Sequence, residues 1–141
     1  MSPVSKTPFS VPAEWAPQKA IWTAWPANAD EWNGDLEAPR RDVAHLVRAL
    51  AAAGNTVRLL VNDEDAEASA NAALSGVAGF VRAKYGDIWL RDTGPIFARA
   101  GKEKIALRFK TNSWGGKYDL PDDATVGDDV AKAAGVPDVP V

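Results

Sequence analysis

An α/β fold is predicted by three observations. Short runs rich in β-branched and aromatic residues alternate with longer segments whose apolar residues recur at helical spacing. That alternation follows the β-α-β rhythm of a parallel sheet with helical crossovers. With 46% hydrophobic and 25% charged residues, the 141-residue chain has the composition of a globular domain of ordinary size, not of a disordered segment.

The elements follow in order. Residues 1–19 carry Pro3, Pro8, Pro12 and Pro17 and read as an extended lead-in. Residues 21–25 (IWTAW) form a short aromatic and β-branched run stopped by Pro26, hence a strand. Residues 27–34 read as a loop, and Asp35 is the expected N-cap of a helix over residues 36–53. Pro39 falls in the first turn of that helix, where its missing N–H costs least. Val43, Leu46, Val47 and Leu50 form its expected buried stripe, and Gly54 follows its end. Residues 56–61 (TVRLLV) predict a second strand, and residues 63–74 a polar, alanine-rich helix on the outside. Residues 77–83 predict a third strand. Residues 96–99 and 105–110 predict an antiparallel pair around Gly101-Lys102. A loop over 112–123 leads to a helix over 122–134 that ends at Gly135. The final VPDVPV begins an extended segment. Its apolar, uncapped end reads as an interrupted element, so the functional protein is expected to continue past Val141. A short edge strand is the alternative.

Composition limits the function. A net charge of −3 offers no electrostatic footprint for nucleic acid, while a small cationic ligand suits it. There is no cysteine, so this chain carries no disulfide, thiolate metal site or cysteine nucleophile. The first residues contain no apolar core of a secretory signal, and no apolar run approaches the roughly 20 residues that span a bilayer. A cytoplasmic location without membrane contact is expected.

Residues 87–97, DIWLRDTGPIF, set Asp87, Arg91 and Asp92 among Ile88, Trp89 and Leu90. In an extended strand Trp89 and Asp92 would face opposite ways. A bend near Arg91, which Gly94-Pro95 makes plausible, would bring them to one side. A carboxylate beside an indole face suits a planar cation. The carboxylate accepts paired N–H bonds from a guanidinium, and the ring adds cation–π attraction. The competing reading pairs Asp92 with Arg91, or has it cap a turn, and places Trp89 in the core.

The stretch WLRDTGP (89–95) resembles the W-x-R-D-x-G-P signature of the agmatine deiminase and bacterial peptidylarginine deiminase family. PAEWAPQKAIWTAWP (12–26) and RFKTNSWGGKYDLPDD (108–123) are similar to two further blocks of that family, in the same order. The N-x-W-G-G-K-Y pattern is closer to the agmatine deiminase branch. The resemblance implies the pentein fold, an α/β propeller of five β-β-α-β units around a central funnel. This chain would be the N-terminal portion of that single domain, about two units of five. It further implies hydrolysis of a guanidinium, that of agmatine, to a ureido group and ammonia. The product would be N-carbamoylputrescine, made on a route to putrescine in the cytoplasm. The implied chemistry uses a cysteine thiolate, a histidine acid–base and two acidic residues, without metal or organic cofactor. The family's signature aspartate maps onto Asp92, and its channel tryptophan onto Trp89. The cysteine, histidine and second acid have no counterpart here, so the isolated chain is expected to be inactive and to need the missing C-terminal portion of the same protein.

Other residues carry weaker readings. Trp22 and Trp25 should lie on opposite faces of their strand, each most simply as core. Asp30 and Trp32, in the loop after that strand, are candidates for the site entrance. Asn112 and Trp114, beside Gly115-Gly116, are candidates for substrate contact or form a glycine turn with a packed indole. Asp119, Asp122 and Asp123 lack the spacing of a calcium loop, and helix capping by Asp122 or Asp123 is the expected role. His45, the one histidine, falls beside the apolar stripe of its helix and is expected at an exposed or boundary position without a catalytic role. Two functional classes follow: part of a guanidine-group hydrolase, for agmatine or for peptidyl-arginine, or a binding module that keeps the Trp89–Asp92 receptor without the reaction. The resemblance leaves a homo-oligomer open.

Overall fold

Along residues 8–141, which the structure, a computed structural model, describes, the elements run β1 (Phe9–Ser10), β2 (Ile21–Ala24), α1 (Glu37–Ala52), β3 (Val57–Val61), α2 (Glu64–Leu74) and β4 (Gly79–Arg82). They continue with α3 (Leu90–Thr93), β5 (Ile96–Ala100), β6 (Glu103–Arg108), α4 (Ser113–Gly116), α5 (Val126–Ala134) and β7 (Asp138–Pro140). Two 3-10 turns, Ala29–Trp32 and Pro121–Ala124, precede α1 and α5. The first seven residues of the expected lead-in lie outside the described residues. Within the rest of it, Phe9 and Ser10 pair antiparallel with Ala100 and Arg99, so part of the lead-in is a strand.

The first sheet is parallel, in the order β2-β3-β4, with Ile21 opposite Val57 and Leu59 opposite Phe80. Helices cover both of its faces, which explains the nearly continuous apolar run of β3. Val57, Leu59 and Val61 point to a core shared with α1 and α2, and Leu60 points to the opposite core with Val126 and Val130 of α5. Arg58 breaks the run. It remains half-buried, with its guanidinium 4.9 Å from the ring centre of Trp22, a cation–π contact. Trp22 and Trp25 fall on opposite faces as expected, Trp22 toward α5 and Trp25 toward α1 and α2.

The second sheet has the order β1-β5-β6-β7. The β5–β6 hairpin turns at Gly101-Lys102, with Ala100 opposite Glu103. A crossover through α5 then brings β7 parallel to β6. The terminal VPDVPV thus supplies a short strand. The second sheet with α5 has the order β-β-α-β, whereas the first runs β-α-β-α-β.

Helix α1 corrects one expectation. Val43, Ala44 and Val47 are buried, while Leu46 is 51% exposed. The buried stripe is therefore narrower than the apolar spacing suggested and includes an alanine that the spacing argument omitted. Val47→Ala should cost about 1.5–3 kcal/mol, the value of burying a valine side chain. Leu46→Ala should stay within about 0.5 kcal/mol. Denaturant midpoints of the two variants test this, and equal losses would place the helix in a different rotation. Asp35 is a second correction: the N-cap of α1 is Leu36, without a side-chain cap bond, and Asp35 stands one residue earlier, where its carboxylate accepts from the N–H of Glu37 at 2.9 Å. His45 is exposed, within the expected range.

Candidate functional site

The chain leaves β4 at the carboxyl edge of the parallel sheet, the side on which open α/β sheets place ligands. Tyr85 anchors it there. The Tyr85 side chain is 1% exposed, and its hydroxyl donates to the main-chain oxygens of Trp25 (2.5 Å) and Leu60 (3.2 Å). Asn62 Nδ2 donates to the carbonyl of Tyr85 at 2.6 Å. Burial pushes the Tyr85 phenol well above its ordinary range, so it stays protonated and keeps donating. Gly86 and Asp87 follow, and their backbone N–H groups donate to Asp123 Oδ1 at 2.8 and 3.3 Å. Asp87 Oδ1 in turn accepts from the N–H of Ile88 at 2.7 Å.

The bend near Arg91 takes the form of a single helical turn, α3. Its N–H bonds run from Asp92 and Thr93 to the carbonyl of Trp89 and from Gly94 to that of Leu90. Gly94 closes the turn because a Cβ there would stand 2.6 Å from the oxygen of Leu90. Residues three apart on such a turn share a side. Trp89, at the start of the turn, and Asp92, within it, are therefore not held on opposite faces of a strand. Ile88 and Leu90 pack inward and Thr93 is buried, while Trp89 is 56% exposed and Asp92 is exposed.

Arg91 does not pair with Asp92. Its guanidinium reaches Glu14 Oε1 at 2.7 Å, with both side chains largely exposed. Among the described residues no hydrogen bond or ion pair engages the Asp92 carboxylate. Trp89 is not core. The structure therefore favours neither part of the competing reading of this stretch.

Carboxylates gather behind Asp92. Burial raises the Asp87 carboxyl above the usual range, with a further contribution from the charge of Asp92 and partial opposition from the Ile88 N–H. Burial likewise raises Asp123, against the two N–H bonds it accepts, and the charges of Asp87 and Asp122 add to the rise. Glu31, in the 3-10 turn after β2, is raised by burial and then by the charges of Asp87, Asp123 and Asp30. No group of histidine, cysteine, aspartate or glutamate among the described residues is arranged to hold a metal ion.

These shifts carry a signed prediction. A carboxyl with a raised pKa in the folded state holds a proton that the unfolded chain has released. Stability from that group therefore falls as pH rises from the ordinary carboxylate value to the raised one. Asp123→Asn removes its share. The slope of unfolding free energy against pH, measured by urea titration from about pH 3.5 to 6.5, should be less negative in the variant. An unchanged slope would show that Asp123 titrates alike in both states.

Asp123 also corrects an expectation. Neither it nor Asp122 caps α5 through its side chain; α5 begins after Thr125 without a side-chain cap bond. The Asp123 carboxylate reaches across the fold instead, to residues 36 and 37 positions earlier. Of the other candidates, Asp30 is exposed and Trp32 half-buried, on the same turn as Glu31. Asn112 accepts from the N–H of Gly115 at 2.9 Å and starts α4, within which Trp114 takes a left-handed conformation (φ 54°). The Trp114 ring meets Tyr118 edge-on at 5.8 Å. No hydrogen bond, ion pair or aromatic contact among the described residues joins Asn112 or Trp114 to the Trp89–Asp92 turn. Glu31, Tyr85 and the long-range role of Asp123 were not read from the sequence.

Comparison with known proteins shows the family and the fold. The model of the Porphyromonas-type peptidyl-arginine deiminase family matches residues 10–140. An agmatine deiminase of Pseudomonas putida is 31% identical over 122 residues, covering 82% of this chain and 33% of the relative. A Yersinia pseudotuberculosis relative is 34% identical over 109 residues, 77% of this chain and 29% of its own length. Among solved structures, the agmatine deiminase of Enterococcus faecalis superposes with a TM-score of 0.84 at 20% identity. That match covers 94% of this chain and 38% of the other. A C. jejuni agmatine deiminase solved with substrate bound superposes with a TM-score of 0.80 at 21% identity, covering 93% and 39%. The chain thus spans about a third of the length of the curated relatives it matches, and its fold is the N-terminal part of the pentein architecture. With a family match over nearly all of its residues and the signature turn formed as described, the chain belongs to the Porphyromonas-type peptidyl-arginine deiminase family, in which its similarity runs to agmatine deiminases.

Proposed function

We propose that this chain supplies the guanidinium-gripping part of a deiminase site that hydrolyses agmatine to N-carbamoylputrescine and ammonia. The observation that carries the reading is the Trp89–Asp92 turn: an exposed carboxylate with no partner among the described residues, three positions from an exposed indole and backed by further carboxylates. In this reading Asp92 accepts N–H bonds from the substrate guanidinium and Trp89 walls the channel. A cysteine thiolate then adds to the guanidinium carbon, ammonia leaves, and water hydrolyses the S-linked thiouronium to the ureido product, releasing the thiolate. The thiolate and the acid–base histidine would come from sequence corresponding to the remaining two-thirds of the relatives. Asp30, Trp32, Asn112 and Trp114 are proposed for the rim of the same site. The names of the relatives and the N-x-W-G-G-K-Y pattern favour agmatine over peptidyl-arginine.

The test is product analysis. The longer protein containing these residues should release one ammonia and one N-carbamoylputrescine per agmatine. Turnover of peptide-terminal arginine in preference to agmatine would move the substrate assignment. Tight binding of agmatine without turnover would select the binding module.

A further inference from the structure

We propose that Asp123 is a positioning residue for the guanidinium site, its buried carboxylate clamping the backbone of Gly86 and Asp87 so that the following turn presents Trp89 and Asp92. The inference rests on the reading of Asp92 given above. Asp123 is 1% exposed, and among the described residues no cation pairs with it. Oδ1 takes the N–H groups of Gly86 and Asp87, and Oδ2 is buried without a partner among the described residues. An acid in that position is a poor choice for stability, because a buried carboxylate without a counter-charge and with an orphaned oxygen is costly. Burial and neighbouring acids raise its pKa, in keeping with that cost. What the side chain does achieve is a two-pronged hold on the corner from which α3 departs.

The corner is held from other sides as well. Leu120 packs onto Gly86 so closely that a Cβ on Gly86 would lie 2.8 Å from Leu120 Cβ and Cδ2. Tyr85 is fixed to the ends of β2 and β3 by its hydroxyl, and to Asn62 by its carbonyl. The turn α3 has four residues, too few to hold its own geometry in water. Its placement therefore comes from its anchors: the Asp123 clamp upstream, and buried Thr93 with the tight Gly94 closure downstream. A receptor on an exposed turn needs such support, because a displacement of about 1 Å can cost about 100-fold in rate.

The experiment is a double-mutant cycle on agmatine turnover by the full-length protein, with Asp123→Ala, Asp123→Asn, Gly86→Ala, Asp92→Asn and the Asp92→Asn/Asp123→Ala pair. Asp123→Ala should lower kcat/KM by about 10- to 100-fold. Asp123→Asn retains an oxygen acceptor for both N–H groups and should stay within about threefold of wild type. In the Asp92→Asn background, Asp123→Ala should add no more than about twofold, because it acts through Asp92. A residue that only stabilises the fold would instead give additive losses and no rescue by asparagine, and that result overturns the proposal. If Asp123→Ala fails to fold, Gly86→Ala carries the test: it pries Leu120 from the corner with Asp123 intact and should show the same loss and the same non-additivity. Amide exchange in the wild type adds a readout independent of any variant. Gly86 and Asp87 N–H groups that exchange as fast as exposed loop amides overturn the clamp. An impaired Asp92→Asn beside a normal, folded Asp123→Ala defeats the inference alone. A normal Asp92→Asn defeats the guanidinium reading, and the inference with it.

Discussion

Asp92→Asn is expected to lower kcat/KM for agmatine at least about 100-fold, roughly 3 kcal/mol of transition-state stabilisation, in the longer protein that contains these residues. The substitution keeps the shape and removes the charge. A guanidinium gripped by a carboxylate gains charge-assisted bonds that an amide cannot match, and a desolvated guanidinium without its counter-charge is costly. The fold should be indifferent, because Asp92 is exposed and no described residue bonds its side chain. Unfolding midpoints of wild type and variant should therefore coincide while turnover collapses.

Two controls separate this from a structural effect. Asp87→Asn keeps an oxygen for the Ile88 N–H, its bond at 2.7 Å, and should lose much less activity. Arg91→Lys touches an exposed pair with Glu14, which as a surface ion pair contributes about 0–1 kcal/mol, and should change neither stability nor turnover much. Near wild-type turnover by folded Asp92→Asn protein would refute the guanidinium role and leave the stretch as architecture.

The parts of the fold that local chemistry dictates were legible. TVRLLV is too short for a helix and has β-branched residues at both ends, and Val57–Val61 is a strand. Gly101-Lys102 between two apolar runs made the hairpin. What escaped was tertiary. Phe9–Ser10 is too short to carry a pattern and is a strand only because β5 offers an edge. Leu46 fitted the helical spacing, yet the sheet meets α1 through Val43, Ala44 and Val47, and that rotation is set by the partner surface. Residues 88–93, around the turn α3, show no period, three apolar ones followed by three polar ones, and the close approach allowed by Gly94 shapes the turn. The site was half legible. Trp89 and Asp92 are three positions apart, close enough for one short exposed turn to carry both. Glu31 and Asp123 reach the same corner from segments more than 30 residues away on either side, and no local pattern announces that.

Trp25→Ala is expected to be the most destabilising single change, at about 3–5 kcal/mol, the usual cost of truncating a buried aromatic. That is a large part of the roughly 5–15 kcal/mol that holds a domain together. Trp25 is 1% exposed and lies in the core between the parallel sheet and the helices α1 and α2. Its Nε1–H donates to Ser69 Oγ at 2.9 Å, which ties the end of β2 to α2, and its main-chain oxygen accepts the Tyr85 hydroxyl. Three contributions can be separated by substitution. Ser69→Ala removes one hydrogen-bond partner and leaves the indole N–H unsatisfied, at about 1–3 kcal/mol. Trp25→Phe keeps most of the ring, loses the N–H and should cost less than the alanine change. Tyr85→Phe leaves the Trp25 side chain intact but takes the hydroxyl donor from the main-chain oxygen of Trp25, while that of Leu60 keeps the N–H of Trp25, so it should loosen the corner that leads to Asp92 as well as lower stability. Equilibrium denaturation ranks the four variants. If Trp25→Ala costs under about 1 kcal/mol, the indole is not the keystone between sheet and helices, and the packing derived for β2 is wrong.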